Sequence, residues 1–226
     1  GSSKSKSKSS NSKRIQSLTT PKAIVLGVVE GVTEYLPISS TGHLLIAEKI
    51  LDVGQRHDEK DATDTYTVVI QIGAILAVLW IFRKRFLLMI EGRAGRSTEG
   101  RSLLLSLVVA FVPAALIGLL FESPIKDKLL RPWPVVAAWV VGGVVILGFV
   151  ANQSKLRERI GDLGAMPLPV AFGIGCAQVI ALWPGTSRSF VTILAALALG
   201  CSLTVAVEFS FLLGFVTLSA ATGYEL

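Results

Sequence analysis

Two carboxylates, a run of hydroxyls, an imidazole and a guanidinium stand in two short polar cassettes inside otherwise apolar sequence. The first reads Glu30-Gly-Val-Thr-Glu34-Tyr-Leu-Pro37-Ile-Ser39-Ser40-Thr41-Gly42-His43, and the second Trp183-Pro184-Gly185-Thr186-Ser187-Arg188-Ser189. An ionised side chain at the centre of a bilayer costs about 2.5–3.5 kcal/mol on insertion scales, so such groups at membrane depth read as a functional site. The chemistry they suit is phosphate handling. Glu30 and Glu34, spaced i, i+4, share a helical face about 6 Å apart. Such a pair can hold a divalent cation, Mg2+ or Ca2+, or manage protons; the plainer reading is an interhelical hydrogen-bond pair.

Ser39, Ser40 and Thr41 fall where a new helix begins, with its unpaired N–H groups facing the break. Thr186 and Ser187 hold the same place in the second cassette. N-capping alone explains these hydroxyls, but not the charged groups beside them. Arg188 opens an apolar helix straight after Pro-Gly-Thr-Ser, a placement suited to bidentate contact with phosphate rather than to an interfacial snorkelling arginine. Ser40 needs a base to act as nucleophile. His43 or Glu34 can serve, or His43 can itself attack phosphorus; the bland reading of His43 is a hydrogen-bonded core histidine. Gln71 and Gln178 are expected to bridge helices. Glu208, at the start of an apolar run, is either interfacial or reaches across the molecule. His57 lies in a charged stretch and is expected to be solvated.

These cassettes need a membrane scaffold, and the composition supplies one. Of 226 residues 51% are hydrophobic and 17% charged, with a mean hydropathy of +0.62, which excludes an ordinary soluble domain. Apolar runs at 66–82, 103–121, 133–151 and 203–221 have the length of spanning helices. Two more, 23–50 and 168–200, are interrupted by the cassettes. The net charge of +6 carries no nucleic-acid signal. Six of the 22 basic residues lie in the first 22 positions, and the remaining 16 balance the 16 acids. Residues 1–21 are expected to be a disordered basic Ser/Lys tail and not a cleavable signal peptide. Residues 22–226 are expected to form a single transmembrane domain. Cys176 and Cys201 read as buried packing residues rather than a disulfide or a metal pair.

Thr20-Pro21 marks a helix start, and that helix is expected to stop before Pro37. A second starts at Ser39-Ser40-Thr41 and ends near Leu51, followed by a polar loop at 52–65. The pattern recurs with a helix from about 168 to Pro184-Gly185, a new start at Ser187 and an end at Gly200. Aligning Pro37 with Pro184 pairs Ser39-Ser40 with Thr186-Ser187, and Gln71-Ile-Gly73 with Leu213-Gly214. The expected fold is therefore an all-α polytopic membrane protein built as an inverted repeat, about 22–121 and about 133–226, with two re-entrant helical hairpins plus spanning helices. Broken backbone at membrane depth survives only where protein or a wet cavity surrounds it, so the two breaks should meet. Basic residues place 83–101 and 152–166 in the cytoplasm and the acidic 52–65 outside. Re-entry of the first unit then leaves the basic tail outside, against that rule.

The chain resembles the undecaprenyl-diphosphate phosphatase family linked to bacitracin resistance. The resemblance runs from about residue 22 to the end. It is carried by Gly27-Val-Val-Glu30-Gly-Val-Thr-Glu34-Tyr-Leu-Pro-Ile-Ser-Ser40-Thr-Gly-His43-Leu, Val69-Ile-Gln71-Ile-Gly-Ala-Ile-Leu-Ala-Val, Ala181-Leu-Trp-Pro184-Gly-Thr-Ser-Arg188-Ser and Glu208-Phe-Ser-Phe-Leu-Leu. It implies a multi-pass enzyme of the bacterial plasma (inner) membrane whose active site opens outward. That enzyme removes one phosphate from undecaprenyl diphosphate with a divalent cation, recycling the lipid carrier for peptidoglycan synthesis, and often dimerises. The family's functional positions fall on Glu30, Glu34, Ser40, His43, Ser187 and Arg188. The family pattern continues for about two helices after the Glu208 span, so C-terminal helices are expected to be missing here. It also has Gly-Ala where this chain has Phe190-Val191, and Phe190 is expected to narrow the pocket. The rival reading is a phosphorylated-lipid flippase or secondary transporter, which uses similar broken helices. A type-2 phosphatidic-acid phosphatase is disfavoured, because no histidine follows Ser187-Arg188.

Overall fold

The computed structural model describes residues 19–53, 57–121, 129, 132–153 and 157–225. The tail expected at 1–21 lies outside them except for its last three residues. Helix α1 (Thr20–Thr33) starts after Thr19, with Pro21 in its first turn, and no hydroxyl side chain caps it. It ends short of Pro37, whose missing N–H would have bonded the Thr33 carbonyl. Helix α2 (Ser40–Leu51) follows the break.

Helix α3 (His57–Ile81) begins inside the stretch expected as a loop, so His57 opens a helix. Its apolar part, Val69–Ile81, is only about 20 Å long, short of a full crossing. Helix α4 (Arg83–Arg93) occupies much of the basic connection at 83–101. Helix α5 (Thr98–Leu120) is capped by Ser97 and helix α6 is Pro132–Asn152. Helix α7 (Leu168–Gln178) does not run on to Pro184. It tightens into a 3-10 turn at Val179–Leu182, and Trp183 is extended, as a residue before proline favours. Helix α8 (Arg188–Ala198) and helix α9 (Leu203–Glu225) complete the fold. Among the described residues, Thr98–Leu120, Trp133–Asn152 and Leu203–Tyr224 are long and apolar enough to cross a membrane. The only non-helical pairing described is an isolated bridge between Ile160 and Cys201.

Two helix pairs, α1 with α2 and α7 with α8, pack as hairpins. The main core lies where α5, α7, α8 and α9 meet and includes Leu103, Leu107, Ile174, Ala196, Phe209 and Leu213. Helices α5 and α7 approach closely because Gly175 rests on the backbone of Ala110, where a side chain would overlap it. Without a hydrophobic drive between helices in lipid, such small-residue contacts are how they associate. A smaller cluster of Leu26, Leu44 and Val53 holds the first hairpin against Tyr66 and Ile70 of α3. Tyr66 donates to the Ala23 carbonyl at 2.6 Å.

Helix α9 ties the halves together. Phe211 packs tilted against Tyr35, with ring centres 5.1 Å apart, and Thr222 donates to Gln71 at 3.3 Å. Gln178 donates to Thr217 at 3.2 Å, so both glutamines bridge helices as expected. Glu208 reaches across to Arg85 of α4 at 2.8 Å, and Arg85 also pairs with Glu99 at 3.1 Å. The Glu208 hydrogen bond holds the Arg85 guanidinium in its charged form. Cys201 is buried, whereas Cys176 is exposed on the apolar surface, contrary to expectation. Helix α6 presents Trp133, Val140, Val144 and Leu147 outward, a surface that suits lipid.

Candidate active site

The two broken hairpins meet at their tips. Arg188, the first residue of α8, donates from Nη2 to Glu34 Oε1 at 2.7 Å. The other oxygen, Oε2, accepts from Ser40 Oγ at 2.6 Å. One carboxylate thus links the guanidinium of the second hairpin to a hydroxyl at the N-terminus of α2. The Arg188 and Glu34 side chains are only 14% and 9% exposed. Removing water strengthens such a charge-assisted contact and makes it costly to break. Gly214 of α9 leaves the room Arg188 occupies, since a side chain there would overlap the guanidinium.

A second set of contacts locks the tips. The carbonyl of Leu36, at the α1 break, accepts from Ser189 Oγ at 2.9 Å and from Ile38 N at 2.8 Å. Ser187 caps α8 by accepting from Phe190 N at 3.2 Å, and its hydroxyl lies 3.1 Å from Ser189. Thr192 pairs with Ser210 at 2.6 Å, fixing α8 to α9 below the tip. At the first break, Ser39 has φ 65 and ψ 100, a conformation that costs about 1–3 kcal/mol in a non-glycine residue and occurs mainly at functional sites. The twist brings its carbonyl within 2.7 Å of His43 Nδ1. A carbonyl only accepts, so Nδ1 is the donating nitrogen, and in the neutral ring Nε2 is the one with a lone pair.

His43 borders a cleft of about 320 Å³ between the tips and α6, whose walls include Ser39, Thr186, Ser187, Trp139, Gly142 and Phe190. Phe190, expected to narrow the pocket, lines this cleft. Thr41 is exposed on the first turn of α2. Glu30 is 1% exposed, and its Oε2 has no hydrogen-bond partner. Among the described residues no group of three or more His, Cys, Asp or Glu forms a ready-made metal cage.

The structure therefore brings together Glu34, Ser40 and Arg188 directly, and Ser39, His43, Thr186 and Ser187 around the cleft. Sequence reasoning gave no role to Ser189, Trp139 or Gly214. The first was visible as part of the second cassette. Gly214 was visible as the repeat partner of Gly73. Trp139 had no signal, because an aromatic in an apolar span is ordinary.

The chain is similar to known proteins over most of its length. The family model described as bacitracin resistance protein BacA matches residues 23–226. The chain is 44% identical over 205 residues to undecaprenyl-diphosphatase 2 of Rhodospirillum rubrum, covering 91% of this chain and 72% of that protein. It is 44% identical over 211 residues to undecaprenyl-diphosphatase 1 of Paraburkholderia xenovorans, covering 91% of this chain and 73% of that one. It is 43% identical over 206 residues to an undecaprenyl-diphosphatase of Nitrosomonas europaea, covering 91% and 72%. The chain is a multi-pass membrane protein that belongs to the BacA bacitracin-resistance family.

Proposed function

We propose that this chain is an undecaprenyl-diphosphatase, which hydrolyses the lipid-carrier diphosphate to the monophosphate and inorganic phosphate for reuse in peptidoglycan synthesis. The observation that carries the reading is the Ser40–Glu34–Arg188 chain at the junction of the two hairpins. Ser40 Oγ lies within proton-transfer reach of a carboxylate, the usual arrangement of a nucleophile and its base. Ser40 attacks the terminal phosphorus as its proton passes to Glu34. The bond from that phosphorus to the bridging oxygen breaks, and undecaprenyl phosphate leaves. Water then attacks the phosphoserine, releasing inorganic phosphate and restoring Ser40. Arg188 and the N–H groups opening α2 and α8 stabilise charge on the phosphoryl oxygens, where positioned donors supply most of the catalysis. Thr41, Thr186 and Ser187 add hydroxyl contacts.

Glu30 and Glu34 would hold a divalent cation, Mg2+ or Ca2+. The unmet Glu30 oxygen supports this, because such cations are commonly held by one or two carboxylates plus substrate phosphates. When bound, the cation neutralises phosphate charge. His43 keeps a free Nε2 beside the cleft and polarises the attacking water. The remaining parts of the reading concern placement. The hairpins are re-entrant and related as an inverted repeat in the inner membrane, with the site facing outward. The polyprenyl tail lies in lipid between helices, and two copies pair as a homodimer.

Purified protein in detergent should release inorganic phosphate from undecaprenyl diphosphate, and Ser40→Ala should lower the rate by about 10³-fold. A wild-type protein that binds the lipid but releases no phosphate would instead fit a flippase or secondary transporter. Normal turnover in Ser40→Ala would pass the nucleophile role to His43.

A further inference from the structure

We infer that Trp139 of α6 is a positioning residue for His43, holding the imidazole in the orientation and tautomer that the reaction uses. The inference rests on the reading of the site given above, but its geometry stands apart from it. The Trp139 and His43 rings lie 5.5 Å apart at 39°, within the range of a stabilising aromatic pair. The indole edge also rests on Gly42, one residue before His43, where any side chain would overlap the Trp139 ring. Gly42 is buried and has no Cβ, so the indole reaches the backbone of α2's first turn and the imidazole at once. On its other side His43 is tied to the Ser39 carbonyl at 2.7 Å. The ring is therefore held between a hydrogen bond that selects the Nδ1–H tautomer and an aromatic face that fixes its tilt. Together they leave Nε2 as the available lone pair.

Two further observations separate this contact from ordinary packing. Only 6% of the apolar window of α6 is buried, so few of its side chains are held by the rest of the protein. Trp139 is half-buried where most of its helix is exposed, and it touches the tip of the first hairpin. In addition, its Nε1–H is buried without a partner. A buried unmet donor is destabilising, a cost that an aliphatic residue or phenylalanine of similar reach would avoid. The indole is thus placed for its aromatic surface and not for its hydrogen bond.

The test uses the full chain in detergent with 15N-labelled histidine, the His43 signals being assigned by their loss in His43→Gln. Wild type should show Nδ1 protonated and Nε2 bare. Trp139→Ala, and Trp139→Leu as a space-filling variant in case alanine weakens folding, should shift the His43 nitrogens toward mixed tautomers. Both should lower kcat about tenfold or more and leave KM within about threefold. Trp139→Phe keeps an aromatic face and removes the unmet donor, so it should keep the wild-type nitrogen shifts and at least about a third of kcat. Unchanged His43 signals in both Trp139→Leu and Trp139→Ala would overturn the inference whatever their activity. A Trp139→Phe protein as impaired as Trp139→Leu, or altered signals with unaltered kcat, would also overturn it. If wild type releases no phosphate at all, the functional reading fails while the nitrogen signals still report on the contact.

Discussion

Arg188 and Glu34 are 154 residues apart in sequence and 2.7 Å apart in space. Each comes from the broken tip of a different hairpin, and the shared carboxylate also accepts the Ser40 hydroxyl. The three groups should act as a unit, so their losses should not add. Arg188→Ala and Glu34→Ala are each expected to lower kcat/KM for undecaprenyl diphosphate by about 10³-fold. The double variant should lose little more than either single. Arg188→Lys should recover less than about tenfold, because a point charge cannot keep Glu34 and grip phosphate in a planar fork. Phosphate release across the four proteins measures this, and additive losses would mean the pair is incidental.

Glycine at 214 leaves the space that the Arg188 guanidinium fills, while its repeat partner Gly73 has open space around it. The two positions therefore predict opposite outcomes for one substitution. Gly214→Leu should displace Arg188 and cut kcat/KM at least about 100-fold. Gly73→Leu, added where no atom lies within 4 Å, should leave turnover within about threefold. Assaying both at equal expression separates displacement of the guanidinium from a general cost of bulk in a helix.

Much of the site was legible because lipid makes polar groups conspicuous. Glu30, Glu34, Ser40 and Arg188 stood out as charges and hydroxyls without an apolar reason, and Pro37 and Pro184 marked the two breaks. The meeting of the breaks followed from the rule that freed backbone must be surrounded by protein, and the Ser189 bond to the Leu36 carbonyl shows how it is met. Other features depended on contacts that no local pattern encodes. Helix α3 extends back to His57 through residues whose charge reads as loop. Helix α4 fills the basic connection because Met89 is buried on one face and Arg85 finds Glu208 across the fold. The strained Ser39 and the Trp139 contact are likewise tertiary, since nothing in Ser-Ser-Thr-Gly-His specifies a positive φ or an aromatic lid.

The Arg85–Glu208 contact lies outside the site and predicts a stability effect. Its side chains are 29% and 20% exposed, between the surface and buried limits for ion pairs. Glu208→Gln should therefore cost about 1–2 kcal/mol, mostly from weakening a charge-assisted hydrogen bond. In a chain of this size that is a fall in Tm of about 2–8 °C, readable by thermal unfolding in detergent. KM should be unchanged. Exchanging the charges, Arg85→Glu with Glu208→Arg, should recover part of the loss, which neither single charge reversal does.

Glu30 gives the last prediction. Its side chain is almost fully buried, and one oxygen has no partner. An uncompensated carboxylate in such a place is costly unless a cation joins it. Chelation with EDTA should therefore abolish phosphate release, and Mg2+ or Ca2+ should restore it. Glu30→Gln keeps the shape and removes the charge, so it should raise the cation concentration for half-activation about 10–100-fold, as loss of a site group commonly does. Glutamine is also the neutral counterpart of a carboxyl that sheds its charge when buried without a cation, so the Tm in EDTA should rise or hold. Full activity in EDTA, or a Glu30→Gln enzyme with wild-type cation dependence, would assign Glu30 a packing role instead.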